Sequence, residues 1–151
     1  MTPIEPIEIN LDRSRKVLIN HRALFKAEGE INKRRGAKVE DWASIDVLMV
    51  DAFNLIYRSR GMLPLDLLAV MIWASIVYEN NERALTVEQI TDLFDDPSVS
   101  RAALSGDIWG AYFKASMRNL KQLPPENEAE KKSGDTILTD GLGNGVLRES
   151  S

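Results

Sequence analysis

Between Leu63 and Tyr78 the chain reads LPLDLLAVMIWASIVY, and its Leu, Val, Met, Ile and Trp residues cover most of the circumference of a helix. A surface helix carries one apolar stripe. A helix that is apolar all round has to be covered on several sides. Pro64 suits the first turn, where its missing N–H is not needed. Pro64 and Asp66 interrupt the run, which is also shorter than the ~20 apolar residues that span a bilayer. The sequence therefore predicts a central buried helix over about 63–79, and the rest of the chain must supply its cover.

That cover is legible in outline. Residues 1–6 hold two prolines and read as an extended N-terminus. Ile7, Ile9 and Leu11 alternate with Glu8 and Asn10, the period of a half-buried strand. Asp12-Arg13-Ser14-Arg15 is a turn and Val17-Leu18-Ile19 a second strand, which makes a small N-terminal β-hairpin. Asn20 then caps a helix whose Leu24, Ala27 and Ile31 share a face, ending near Arg34–Gly36. A second helix is predicted from Asp41, with Trp42, Ile45, Leu48, Met49, Ala52, Phe53 and Ile56 on its apolar side and Arg58, Arg60 and Gly61 at its end. After the polar loop Glu79–Glu82, Thr86 and Gln89 have the spacing of a capping box, with Leu85 placed to staple to Ile90. Asp96 and Pro97 mark the start of the next helix, Ser105-Gly106-Asp107 a kink or restart in it, and Pro124-Pro125 its stop. Residues 124–151 are rich in Glu, Lys, Gly and Ser with no sustained period and read as a disordered C-terminal tail. The predicted fold is thus mainly α: a small N-terminal hairpin, five or six helices packed around the central one, a domain over 7–123, and the tail.

Chemistry is hard to place on this frame. The 151 residues include no cysteine and one histidine, His21, at the hairpin–helix junction. A zinc site needs about four ligands, and a serine nucleophile needs a base; neither set is present, and no G-x-S-x-G occurs. The adjacent acids Glu40/Asp41 and Asp95/Asp96 sit at predicted helix starts, where carboxylates favour the dipole. Gly141–Gly145 follows no strand and lacks the Lys-Ser/Thr of a phosphate loop. The expectation is a protein with no catalytic residues, no metal and no cofactor. The N-terminus has no basic start with an apolar core, so it does not read as a signal peptide.

Charge is uneven although the net value is only −4. Between Arg13 and Lys38 there are nine Lys/Arg against two Glu, while from Pro124 onward there are six acids and three bases. The basic segment is the one alternative function the composition offers, a nucleic-acid-binding module contacting phosphates, although Phe25 is its one aromatic. Leu85–Leu104 has the rhythm of a helix-turn-helix, but its turn would hold Asp95 and Asp96 and its reading helix only Arg101. Nucleic acid is therefore disfavoured as a partner.

The order of features resembles a known family. IEINLDRSRKVLIN runs directly into HRALFKAEGEI, and then comes LPLDLLAVMIWASIVYENNERALTVEQITDLF: a Leu-rich helix, Trp-Ala, a polar Glu/Asn loop and Leu-Thr-Val-Glu-x-Ile. This is similar to the tail assembly chaperones of long-tailed (siphovirus-type) bacteriophages, over roughly residues 7–120 and most specifically over 63–94. One departure is the stretch around KRRGAKVEDW, which is longer than the short connection such a chaperone would have. The resemblance implies a non-enzymatic protein that binds the phage tape measure protein, keeps it soluble and recruits tail tube subunits. It implies a host-cytoplasm location, absence from the mature virion, and no membrane. It also implies contact with the tail tube protein through a longer frameshifted form, for which Glu130-Lys131-Lys132 could be encoded by a slippery run. Self-association is a further expectation. A small structural virion protein of the same fold is the other alternative. The candidate protein-binding face is the apolar side of the last helix: Trp109, Tyr112, Phe113, Met117 and Leu120. Met49, Met62, Met71 and Met117 are adaptable side chains that could serve the same surface, although most are expected in the core.

Overall fold

In the computed structural model the described residues are 4–55 and 61–121, with side chains through Met117. The order is β1 (Ile7–Asn10), β2 (Ser14–Val17), α1 (His21–Arg34), a 3₁₀ turn at Val39–Asp41, α2 (Ile45–Asn54), α3 (Leu65–Ser75), β3 (Ile76–Val77), α4 (Val87–Leu93) and α5 (Arg101–Lys121). The chain divides into compact units at Ala115–Ser116. The first holds the core; the described part of the second, Ser116–Lys121, is helical.

The fold is mainly helical with an N-terminal antiparallel hairpin, as its sequence predicts. β1 and β2 pair with Ile7 opposite Val17 and Ile9 opposite Arg15. Ile9, Leu11, Val17 and Ile19 point inward and are 5% exposed or less. Asn20 caps α1, its side-chain oxygen accepting from the Ala23 N–H at 2.9 Å. Ala27 and Ile31 of the expected stripe are fully buried. Gly36, at φ +73°, takes the left-handed conformation that follows the helix.

The central helix is α3. Leu67 to Ile72 are all buried without a break, as is Ser75. α1 and α4 pack against it. Thr86 and Gln89 form the predicted capping box, with bonds of 3.1 and 2.9 Å in the two directions.

Several boundaries differ from the sequence reading. The central helix does not run to 79. It ends at Ser75, and Ile76–Val77 leave it to become a third strand on the hairpin, pairing with Lys16 and Val17. β-branched Ile and Val suit a strand, and Ser75 loosens the helix there by turning its hydroxyl back onto the Met71 carbonyl at 2.6 Å. The second helix starts at Ile45 rather than Asp41, capped by Ser44, which accepts from Val47 N–H at 3.2 Å. Trp42 is therefore not on its apolar face; it closes the 3₁₀ turn and donates its indole N–H to the Ala37 carbonyl at 3.2 Å. Asp96 does not cap the last helix. It accepts from both the backbone and hydroxyl of Ser98, and Ser100 is the side chain that caps, accepting from Ala103 N–H at 3.1 Å. Ser105-Gly106-Asp107 makes no break: α5 runs through it. The hydroxyl of buried Ser105 is used sideways, accepting from the Leu63 N–H at 3.0 Å. Ile56, Arg58 and Arg60, the predicted stop at Pro124 and the predicted tail 124–151 lie outside the described residues.

Candidate protein-binding surface

A polar clasp sets α2 against α1. The Asn32 amide is buried. Its NH₂ donates to the Glu28 and Ala43 carbonyls at 2.8 and 2.9 Å, and its oxygen accepts from Ala43 N–H at 2.9 Å. The Glu28 carboxylate accepts from Ile45 N–H at 2.7 Å. The α2 end of the loop is thus tied to one turn of α1, with the Asn32 amide satisfied. Asn32 and Glu28 carry no sequence signature of this role. Nothing in a helical period distinguishes an inward amide from a misplaced one.

The clasp places α2 with only Ile45, Met49 and Ala52 buried. Val47, Val50, Phe53 and Leu55 remain 51, 54, 48 and 48% exposed. α5 lies beside it. Tyr112 and the Asp46 carboxylate hydrogen-bond across the two helices. Phe53 packs edge-on to both Trp109 and Phe113, with ring centroids 5.6 and 6.4 Å apart. Trp109 and Phe113 stack at 5.1 Å. Edge-to-face and offset rings at these distances attract through their quadrupoles.

The predicted face of α5 is accordingly split. Tyr112 is buried at 6% and belongs to the core. Trp109 is half-buried at the rim. Phe113 and Met117 are open, at 47 and 52%. Leu120 is on the helix, but its side chain lies outside the described residues. The surface the structure assembles is wider than the one α5 alone supplies, because the sequence reading counted Phe53 towards the core. Of the methionines, Met49 and Met71 are core residues and Met62 is half-buried.

The basic segment is largely neutralised from within. Arg15 is 8% exposed; it donates to both Asp12 oxygens at 2.9 and 2.7 Å and to Glu82 at 3.3 Å. Hydrogen bonding from Arg15 holds the Asp12 carboxyl below its ordinary value. Arg13 also pairs with Glu82, and Lys16 with Glu79 at 3.8 Å. Arg34 bridges Glu30 and Glu88 at 2.7 and 2.8 Å, tying α1 to α4. Arg35 meets Asp66 in a fork of 2.8 and 3.0 Å and lowers that carboxyl too. Lys26 lies 4.2 Å from the centre of the Trp73 ring. Arg22, Lys26, Lys33 and Lys38 are left outside any ion pair among the described residues. Four cations are a small electrostatic footprint for phosphate.

Where Arg13, Arg15, Lys16, Glu79 and Glu82 meet they line a cleft of about 110 Å³. Its charges satisfy one another. His21 is an exposed residue at the start of α1. Among the described residues no group of three or more His, Cys, Asp or Glu is placed to hold a metal ion. No described helix is long and apolar enough to cross a membrane. Comparison with known protein families, with curated proteins and with solved structures finds no match for the chain.

Proposed function

We propose that this protein is a non-enzymatic assembly chaperone of the phage-tail type. On this reading it binds exposed amphipathic helices of a long helical tape measure protein, keeps that protein soluble and helps recruit tail tube subunits. The observation that carries the reading is the exposed apolar row Val47, Val50 and Phe53 on α2, continued across the aromatic contact to Phe113 on α5. A contiguous apolar surface of this kind, rimmed by polar residues, is the usual mark of a protein-binding site. An exposed apolar face of this kind suits an amphipathic helix laid against it, where apolar contacts give reversible affinity. The resemblance of 63–94 to tail assembly chaperones supports the same reading, and the largely neutralised basic segment disfavours the nucleic-acid alternative.

Co-expression with a tape measure protein tests the proposal. The partner should stay soluble with this chain and aggregate without it. Phe53→Ser should remove the protection while leaving the chaperone folded. Equal aggregation with and without the chain sinks the reading. Purified virions should lack the chain by mass spectrometry; its presence there would favour a structural virion protein instead.

A further inference from the structure

The outer side of α5 carries a pattern that the fold uses only at its Phe113 edge. Leu104, Ser105, Ile108, Tyr112 and Ala115 face the core, and opposite them Ala103, Gly106, Asp107, Gly110, Phe113 and Lys114 are exposed. A Cβ added at Gly106 or Gly110 would meet nothing within 4 Å. Glycine in a helix interior is unfavourable relative to alanine, and among the described residues no neighbour requires it at either position. Asp107 and Lys114 form no ion pair among the described residues. They stand two helical turns apart, roughly 10 Å along the axis, on the same edge of the exposed stripe. Phe113 stands on the other edge, towards α2.

We infer that this face binds a second copy of the chain, with the two α5 helices antiparallel about a two-fold axis between Gly110 and Ala111. In an antiparallel pair, residues equidistant from the axis face each other, and like edges meet like edges. Asp107 of each copy then lies opposite Lys114 of the other, so the two charge pairs form together. Gly110 sits at the crossing, where a missing side chain lets the backbones approach. Phe113 falls on the edge opposite the charges and meets the corresponding edge of the second copy. A parallel pair would set the Asp107/Lys114 edge against the Phe113 edge of the other copy and lose this match. The complementarity is internal to one stripe, which is the signature of an isologous interface. The inference concerns the free chain; it shares Phe113 with the proposed partner-binding surface but does not rest on that reading.

Sedimentation equilibrium of the full chain tests it. Lys114→Asp and Asp107→Lys should each weaken the dimer about tenfold or more, and the double exchange should restore it to within about threefold. Gly110→Leu should abolish association while raising the melting temperature, because a better helix former replaces glycine where the fold leaves space. A chain that is monomeric throughout overturns the inference, even if it captures a tape measure helix on the same face. So does a dimer that the single charge reversals leave intact, or one that Gly110→Leu leaves intact.

Discussion

α2 and α3 are close in length and both strongly apolar, yet they meet different fates. α3 buries Leu67 to Ile72 and Ser75. α2 buries Ile45, Met49 and Ala52 and leaves Val47, Val50 and Phe53 open. α3 is enclosed by α1 and α4, whereas α2 is held through its start, by the Asn32–Glu28 clasp, and leans on α5 along one edge. Apolar residues in α3 therefore hold the fold together. The outward ones in α2 exceed what the fold buries, and that excess is the basis of the binding surface proposed above.

The contrast can be broken most directly by truncation. Leu68→Ala should lower the free energy of unfolding by ~2–5 kcal/mol, through lost transfer energy and a residual cavity. Val50→Ser should change it by no more than ~0.5 kcal/mol while weakening capture of the partner. Urea denaturation of both variants decides this, and similar losses in the two would end the distinction. Next in size is the anchor of the segment entering α3. Ser105→Ala leaves the buried Leu63 N–H without its acceptor and should cost ~1–3 kcal/mol, read in the same way. Thr86→Ala removes half of the capping box of α4, which packs on α3, and should cost ~1 kcal/mol.

The smallest effect is electrostatic. Arg35 holds the Asp66 carboxyl, in the first turn of α3, below its ordinary value of 3.8. A depressed carboxylate contributes stability that is present above that value and is lost as pH falls through the lower folded value. Asp66→Asn should therefore flatten the stability profile below about pH 4 and little else. With both side chains about two-fifths exposed, the difference should stay under ~1 kcal/mol. A pH series of thermal melts checks it, and an unchanged slope would show that the pair does not contribute.

What the sequence made legible follows from the range of the interactions involved. The Asn20 cap and the Thr86–Gln89 box close within three residues, so composition and spacing are enough to find them. α3 is recognisable because a helix apolar on every side has few alternatives. The misplaced boundaries depend on contacts between distant residues. Ile76–Val77 become a strand because β2 offers an edge some sixty residues earlier. Ser105 reads as a breaker until its acceptor role for Leu63 is seen. Trp42 looks like a core residue of α2, but its indole is engaged by the Ala37 carbonyl. The candidate site was legible as one apolar helix face. Its division into buried Tyr112 and open Phe113, and its extension to Phe53, come from the way α2 and α5 lie together.

β3 has a bearing on the order in which the molecule can be made. β2 is the middle strand, and among the described residues Ile76 and Val77 form the strand that closes its outer edge. The hairpin leaves the ribosome before β3, and its free edge stays open, with unpaired backbone groups, until α1, α2 and α3 have emerged. An open edge is a template for pairing with other chains, so a nascent chain halted short of Ile76 would be more adhesive than the finished one. The Leu18 N–H donating to the Ser75 carbonyl at 2.7 Å marks where that exposure ends. On the reading proposed for this protein, a molecule that shields other chains first depends on a two-residue strand to shield itself.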